Sequence, residues 1–373
     1  MSAHYNPNHD FREIDTPALI VDLDIMETNI RQMASMAAKN HIKLRPHIKT
    51  HKSPWIAKAQ IAAGAVGITV AKLGEAETML EAGIHDILLA YPIVGAVKLR
   101  RLEHLLRQTP IILSTDSLPA AVGMAEAAAR AGQVARFYVD VDTGLQRLGL
   151  AAGEEAAHLA LAIAGLPHSE VLGLMSHAGH VGSAGSPTEV EALATKAAKS
   201  LLQTADICRS HGLEIRDISP GSTVGAAYEA LVPGVTELRP GTYVFNDANT
   251  VRRWAAAQED CAVTVLATVV SCPSSTRAVI DAGSKTLSSD QSVSGSVGYG
   301  IVVGRPALEI ERISEEHGVL RLPEGSAPLS VGERLAIIPN HVCPVVNLSD
   351  TLYGMRNGLL EREIAVSARG KNR

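Results

Sequence analysis

The chain has 373 residues, a formal net charge of −5 and 46% hydrophobic residues, yet only 3% aromatic ones. That length holds one large or two ordinary domains, and the acidic balance gives no support to binding of nucleic acid or of an anionic membrane. Cys208, Cys261, Cys272 and Cys343 show no paired spacing. Charges at Asp10, Arg12, Glu13 and Asp15 stand where a signal peptide needs an apolar run, and the stretch 262–270 is too short to span a bilayer. A reducing, cytoplasmic setting is the expectation.

In chain order, residues 1–16 read as a polar lead-in and 16–23 as a strand. Asp24 reads as the cap of a helix whose apolar face carries Ile25, Met26, Ile30, Met33 and Ala37. The stretch 42–45 is the next strand, stopped by Pro46. Apolar strand-like runs then recur at 67–71, 87–90, 111–114, 135–141, 171–175, 215–219 and 236–239. Alanine-rich helical patterns at 75–82, 96–106, 118–131, 154–164 and 190–210 lie between most of them. Strand–helix alternation of this kind argues a parallel sheet with right-handed crossovers, and eight units argue a closed (β/α)8 barrel. No G-x-G-x-x-G follows the first strand, which speaks against a dinucleotide-binding sheet. After about residue 251 the texture becomes short and β-rich, at 262–271, 277–281, 308–312, 334–338 and 362–366. The expected organisation is a barrel over 16–250 and a smaller all-β domain over 251–373, with residues 1–15 open to either.

A barrel carries its active site at the C-terminal ends of its strands. Past the first of them lie Arg45, His47, Lys49, His51 and Lys52, a cluster costly to assemble unless an anion or cofactor sits in it. Lys49 is the candidate centre, since neighbouring cations push a lysine towards the neutral amine that makes a Schiff base. The competing reading is a solvated basic loop. Later strand ends carry Thr143-Gly144 with Arg147, then Ser176-His177 with His180, then Gly221-Ser222-Thr223, then Arg239-Pro240-Gly241-Thr242. The backbone at Ser222, Thr223, Gly241 and Thr242 suits a phosphate. Arg147 and Arg239 suit a cofactor ring, because arginine holds its proton beside a pyridine nitrogen. His177 and His180 are candidate bases. In the β domain His341 and Cys343 are read as i and i+2 of an extended segment, hence pointing one way and able to hold a borderline metal such as Zn²⁺.

These segments resemble the fold-type III PLP enzymes, the alanine racemase-like class. The run from Arg45 to Lys52, taken with Asn340-His341-Val342-Cys343, is closer to the D-threonine aldolase and D-serine dehydratase group, and the likeness runs over nearly the whole chain. It implies an N-terminal PLP barrel with Lys49 on the cofactor and Arg147, His177, Ser222, Thr223, Arg239, Gly241 and Thr242 around it. It also implies a C-terminal β domain whose His341 and Cys343 hold a divalent metal, Zn²⁺, Mn²⁺ or Mg²⁺. The substrates it implies are D-amino acids with a β-hydroxyl. Loss of the hydroxyl proton gives aldol cleavage to glycine and an aldehyde, as from D-threonine. Loss of the Cα proton gives dehydration of D-serine or D-threo-3-hydroxyaspartate to a 2-oxo acid and ammonia. Cys343 favours the dehydratase and His180, as base for the hydroxyl, the aldolase, which is preferred narrowly. A non-catalytic PLP-binding protein lacks the second domain and the metal pair. A racemase needs a further acid/base group, for which Tyr299 and Tyr353 are available. A homodimer is compatible with all of these readings.

Overall fold

The computed structural model describes residues 14–293 and 298–373, so most of the polar lead-in lies outside the described residues. The chain divides into two units. A barrel unit holds residues 32–49, 54–241 and 371–373, and a β unit holds residues up to 31, 50–53 and 242–370.

The strands up to the end of the barrel are β1 (Ala18–Asp22), β2 (Lys43–Leu44), β3 (Ile68–Val70), β4 (Ile87–Leu89), β5 (Ile111–Thr115), β6 (Ala135–Asp142), β7 (Leu150–Ala151), β8 (Ser169–Met175), β9 (Asp217–Ser219) and β10 (Glu237–Leu238). In the barrel unit β3, β4, β5, β6, β8 and β9 form a parallel sheet in that order, and β10 pairs in parallel with β2. Two joints close the ring. A parallel bridge from His47 to Thr69, with the Thr69 amide donating to the Pro46 carbonyl at 2.8 Å, links β2 to β3. The Thr236 amide, donating to the Ile218 carbonyl at 3.0 Å, links β9 to the entry of β10. Eight parallel strands thus make the expected barrel. Those at the joints are only two or three residues long, which is why their apolar runs are hard to bound in sequence.

The crossover helices are α2 (Pro54–Ala62), α3 (Leu73–Glu81), α4 (Ala96–Leu106), α5 (Leu118–Arg130), α6 (Glu154–Ala164), α7 (Pro187–Ser210) and the short α8 (Ala226–Glu229), with α1 (Leu23–Lys39) preceding them. Asp22, not Asp24, caps α1, its Oδ1 accepting from the Ile25 amide at 3.0 Å. Asp24 sits two positions further in, within the first turn. Small side chains let the helices lie close on the sheet. On α5 the buried residues are alanines and Met124, and on α6 alanines with Leu159 and Ile163. Together with Ile68, Leu89, Leu113, Phe137 and Leu174 they form one continuous apolar core. Burying each large aliphatic of this set contributes roughly 1.5–3 kcal/mol.

In the β unit, β11 (Val263–Ser274) is the spine. It pairs antiparallel with β1, with β12 (Arg277–Ile280) and with β16 (Arg334–Ile338). Around it lie β13 (Ile301–Val302), β14 (Glu309–Ile313), β15 (Gly318–Arg321), β17 (Thr351–Arg356) and β18 (Leu359–Ala365). The sheet is antiparallel except where β1 lies parallel to β17. Its helices are α9 (Ala248–Arg252), α10 (Ser284–Leu287) and α11 (Val342–Asn347). The last of these corrects the sequence reading. Residues 340–344 do not continue the strand β16, because His341 is the cap position of α11 and Cys343 lies in its first turn. Among the described residues no helix is long and apolar enough to cross a membrane.

Candidate active site

The barrel unit gathers its reactive groups at the C-terminal ends of the strands. Past β2, Pro46 ends the extended run and Lys49 sits in a single 3-10 turn, Ile48–Thr50. The Lys49 amide donates to His47 Nδ1 at 3.4 Å, so that nitrogen bears a lone pair. After β8, His177 donates from Nδ1 to the Gly221 carbonyl at 3.0 Å, because the carbonyl can only accept, and its Nε2 is left as an acceptor. Both imidazoles are held neutral. Burial lowers His177 to about 3, assisted by the fields of Lys49, Arg147 and Arg239. Burial and the same three cations, with His177, drive His47 well below its ordinary value. Lys49, Arg147, Arg239, His47 and His177 therefore share one electrostatic neighbourhood.

Arg239 is the most firmly held of these. It is buried, and its guanidinium donates to the Ser176 carbonyl at 2.8 Å, to the Ser219 hydroxyl at 2.6 Å and to the Ser219 carbonyl. The Ser219 hydroxyl donates onward to Glu237 at 2.8 Å, and Glu237 takes the Arg45 Nε at 2.8 Å. Arg45, counted in sequence with the cofactor cluster, is thus a buried ion-pair partner of Glu237 and Asp86. Its guanidinium passes the face of Gly67, where an added Cβ would lie 2.5 Å from Arg45 Nη1.

The loop after β9 runs against Arg239. A Cβ on Gly221 would stand 2.8 Å from the Arg239 amide nitrogen, so only glycine allows that approach. Ser222 Oγ accepts from the Gly225 amide at 3.1 Å and closes the turn. Two buried acids that the sequence reading did not single out face these cations. Asp140 on β6 is raised to about 6 by burial, against the pull of Arg239. Glu229 is raised to about 8 by burial, and neither of its oxygens has a hydrogen-bond partner of normal geometry. No short motif marks either residue; their signal is a carboxylate in an otherwise apolar stretch.

His180 lies apart from the cation cluster, with its ring over Gly144, where an added Cβ would meet Nε2 at 3.1 Å. Burial lowers its pKa, Asp142 opposes that shift and Lys196 adds to it. His180 Nδ1 is buried without a partner. A neutral imidazole with an unsatisfied nitrogen can accept a proton.

In the β unit, Cys343 Sγ donates to Thr50 Oγ1 at 3.2 Å and lies 3.9 Å from Thr242 Oγ1. Thr242, grouped in sequence with the phosphate loops, is thus beside the thiol. Thr50 follows Lys49 in the chain. His341 Nδ1 lies 2.6 Å from Asp290 Oδ2. Burial opposes charge on His341, but hydrogen bonds to Cys343 and Asp290, with the fields of Cys343 and Asp247, hold its pKa up at about 9. Asp247 is buried and accepts from the Thr250 and Val342 amides at 2.8 and 3.1 Å. Among the described residues no group of three or more His, Cys, Asp and Glu forms a closed metal cage. An imidazole and a thiol within reach of each other fit a borderline divalent metal with open positions, the pattern of a catalytic rather than a structural site. The donors of the barrel unit likewise fit PLP: a lysine, two arginines, neutral imidazoles and a glycine-containing turn packed against Arg239.

Comparison with known proteins agrees with these features. The family model for the alanine racemase N-terminal domain matches residues 21–249, and a serine dehydratase domain model matches 262–355. The chain is 34% identical to a D-threonine aldolase of an Arthrobacter species, over 98% of this chain and 96% of the relative. It is 36% identical to the D-threo-3-hydroxyaspartate dehydratase of Delftia sp. strain HT23, over 88% and 91% of the two chains. The crystal structure of D-threonine aldolase from Filomicrobium marinum superposes with a TM-score of 0.89 at 34% identity, covering 96% of each chain. Solved structures of a D-threo-3-hydroxyaspartate dehydratase include a histidine mutant and a cysteine mutant, the latter in a metal-free form. The two mutated positions stand two apart, as His341 and Cys343 do here.

Proposed function

We propose, for a chain that belongs to the D-threonine aldolase and D-serine dehydratase family of fold-type III lyases, retro-aldol cleavage of D-3-hydroxy amino acids to glycine and an aldehyde. Lys49 would carry PLP, with Arg147, Arg239, His177 and the 221–223 and 241–242 backbone around it, and His341 and Cys343 would hold a divalent metal, with Zn²⁺ the first choice for that donor pair. Bound PLP supplies an electron sink for bonds at the substrate Cα, and a bound metal supplies a Lewis acid for the β-hydroxyl. Burial works against the charge on Arg239 and the fields of Glu237 and Asp140 support it; a guanidinium so held can donate to a ring nitrogen without protonating it. Neutral His177 and His47 leave the positive charge around Lys49 on Arg147 and Arg239, which suits an anionic cofactor.

The observation that carries the aldolase reading is His180, neutral and with a buried nitrogen that has no partner. It would take the hydroxyl proton at one ring nitrogen. A dehydratase remains as the second reading, favoured by Cys343, because the spacing of the mutated histidine and cysteine in the D-threo-3-hydroxyaspartate dehydratase structures is the same as here. Product analysis separates them. With PLP and Zn²⁺ or Mn²⁺, the aldolase gives glycine and acetaldehyde from D-threonine, and His180→Ala lowers the rate by about 10²–10⁴-fold with PLP and metal retained. Stoichiometric ammonia and a 2-oxo acid without glycine would refute the aldolase and leave the dehydratase.

A further inference from the structure

The Asp290 carboxylate hydrogen-bonds to the His341 ring. We propose that Asp290 is the positioning residue of the metal centre, turning His341 so that Nε2 faces the ion. The inference rests on reading His341 and Cys343 as the metal ligands.

Two links tie Asp290 to the ligand segment, 51 residues away in sequence. Its Oδ2 meets His341 Nδ1 at 2.6 Å, just under the usual length of a charge-assisted N–H···O bond. Its carbonyl accepts from Asn340 Nδ2 at 3.2 Å, and Asn340 immediately precedes His341. Asn340 is itself fixed. It is buried, its other bond from Nδ2 goes to the Gly298 carbonyl at 2.8 Å, and its Oδ1 accepts from Arg252 Nη1 at 2.7 Å. The Asp290 amide donates to Ser288 Oγ at 3.2 Å, which anchors the turn that carries the carboxylate.

With Nδ1 committed to Asp290, the nitrogen left for an ion is Nε2. A carboxylate behind a ligating imidazole fixes its tautomer, aims the ring and makes the coordinating nitrogen more basic. With two ligands proposed from the protein, correct aim of one of them matters more than it would in a four-ligand site. The competing reading is a half-exposed ion pair that contributes little, since the His341 and Asp290 side chains are 42% and 47% exposed. Metal affinity distinguishes the two, because an incidental ion pair has no reason to govern it.

The test is zinc affinity, measured by competition with a chromophoric chelator on the PLP-loaded protein at fixed pH. The variants are Asp290→Ala and Asp290→Asn. Asparagine keeps an oxygen that can accept from Nδ1; alanine keeps none. Expected is the order wild type, Asp290→Asn, Asp290→Ala, with alanine weaker by about 10–100-fold. The visible PLP band and the unfolding midpoint of the metal-free protein should stay unchanged in both variants, which shows that the fold is intact. Alanine binding zinc within about twofold of wild type would overturn the role of Asp290 alone, well below the 10–100-fold expected of such a partner. Asparagine as weak as alanine would show that the charge of the carboxylate, and not its acceptor oxygen alone, sets the basicity of Nε2, which supports the same role. Wild-type protein that binds no zinc would overturn the metal reading and this inference with it.

Discussion

In the barrel unit Arg239 is held at three points, and those points continue through Ser219 and Glu237 to Arg45. In the β unit the His341 ring has one carboxylate behind it, and both side chains are partly open to water. The difference has a physical cause. A buried arginine is tolerated only when its donors are satisfied, so the barrel had to build a network around it. A metal ligand must stay exchangeable and accessible, so the β unit holds it with few bonds. The barrel end should therefore fail all at once when a member of its network is removed. The metal end should fail gradually.

The largest expected effect lies on Lys49. Lys49→Ala should abolish the visible absorbance band that forms with PLP, together with turnover, and borohydride treatment of the wild type should fix the cofactor on Lys49. A reducible band that survives the substitution, or a label on Lys52, would break the assignment. Zinc binding at His341 and Cys343 should persist in Lys49→Ala, which sharpens the contrast between the two units.

The next effect tests whether the barrel network is as rigid as its geometry implies. Arg45→Ala leaves the Glu237 carboxylate without its cation in a fully buried position. Removing one partner of a buried pair costs about 3–5 kcal/mol. Because Glu237 also holds Ser219, and Ser219 holds Arg239, PLP affinity should drop with stability even though Arg45 lies away from the cofactor. Chemical denaturation and PLP titration measure both. A stable variant with unaltered PLP affinity would show that the network does not reach Arg239.

Much of the barrel could be read in the sequence because each crossover repeats the same two signals, an apolar run and an alanine-rich amphipathic helix. Lys49, Arg147, His177 and Arg239 could be found because a barrel puts its site where strands end, so position along the pattern serves as a functional coordinate. Asp140, Glu229 and Asp290 were not legible. Their importance comes from what packs on them across long sequence separations. Asp290 in particular stands in a polar stretch with no periodicity to mark it. The misreading of 340–344 has a similar source. An apolar strand running into His-Val-Cys looks extended, while the helix begins only because Asp247, 95 residues away, accepts from the Val342 amide and caps its first turn.

The smallest effect concerns pH and isolates a single group behind the loop after β9. Glu229 is fully buried, and its pKa stands at about 8 against an ordinary 4.5, chiefly because burial disfavours the charged form, while Arg239 and the Ser222 amide pull the other way. The unfolded chain therefore releases this proton at lower pH than the folded one. Between 4.5 and about 8 the folded state binds more protons, so stability falls as pH rises and levels off above about 8. Asp140, raised to about 6 by burial, contributes a loss of the same sign that is mostly complete before pH 6.5. Between about pH 6.5 and about pH 8.5 the cofactor-free, metal-free protein loses stability through both Glu229 and His341, whose pKa is held up at about 9, so it is the difference between the wild type and Glu229→Gln that isolates the share of Glu229. The interval of about 1.5 pH units up to its pKa corresponds to roughly 2 kcal/mol. Glu229→Gln cannot ionise and should lose that share of the decline. The glutamine head still sits unpartnered, so its stability at the lower pH should be no higher than that of the wild type. Equal declines in both proteins would mean that Glu229 is already ionised in the folded barrel, held by Arg239, and the barrel end would then contain a complete ion pair where the geometry indicates a neutral acid.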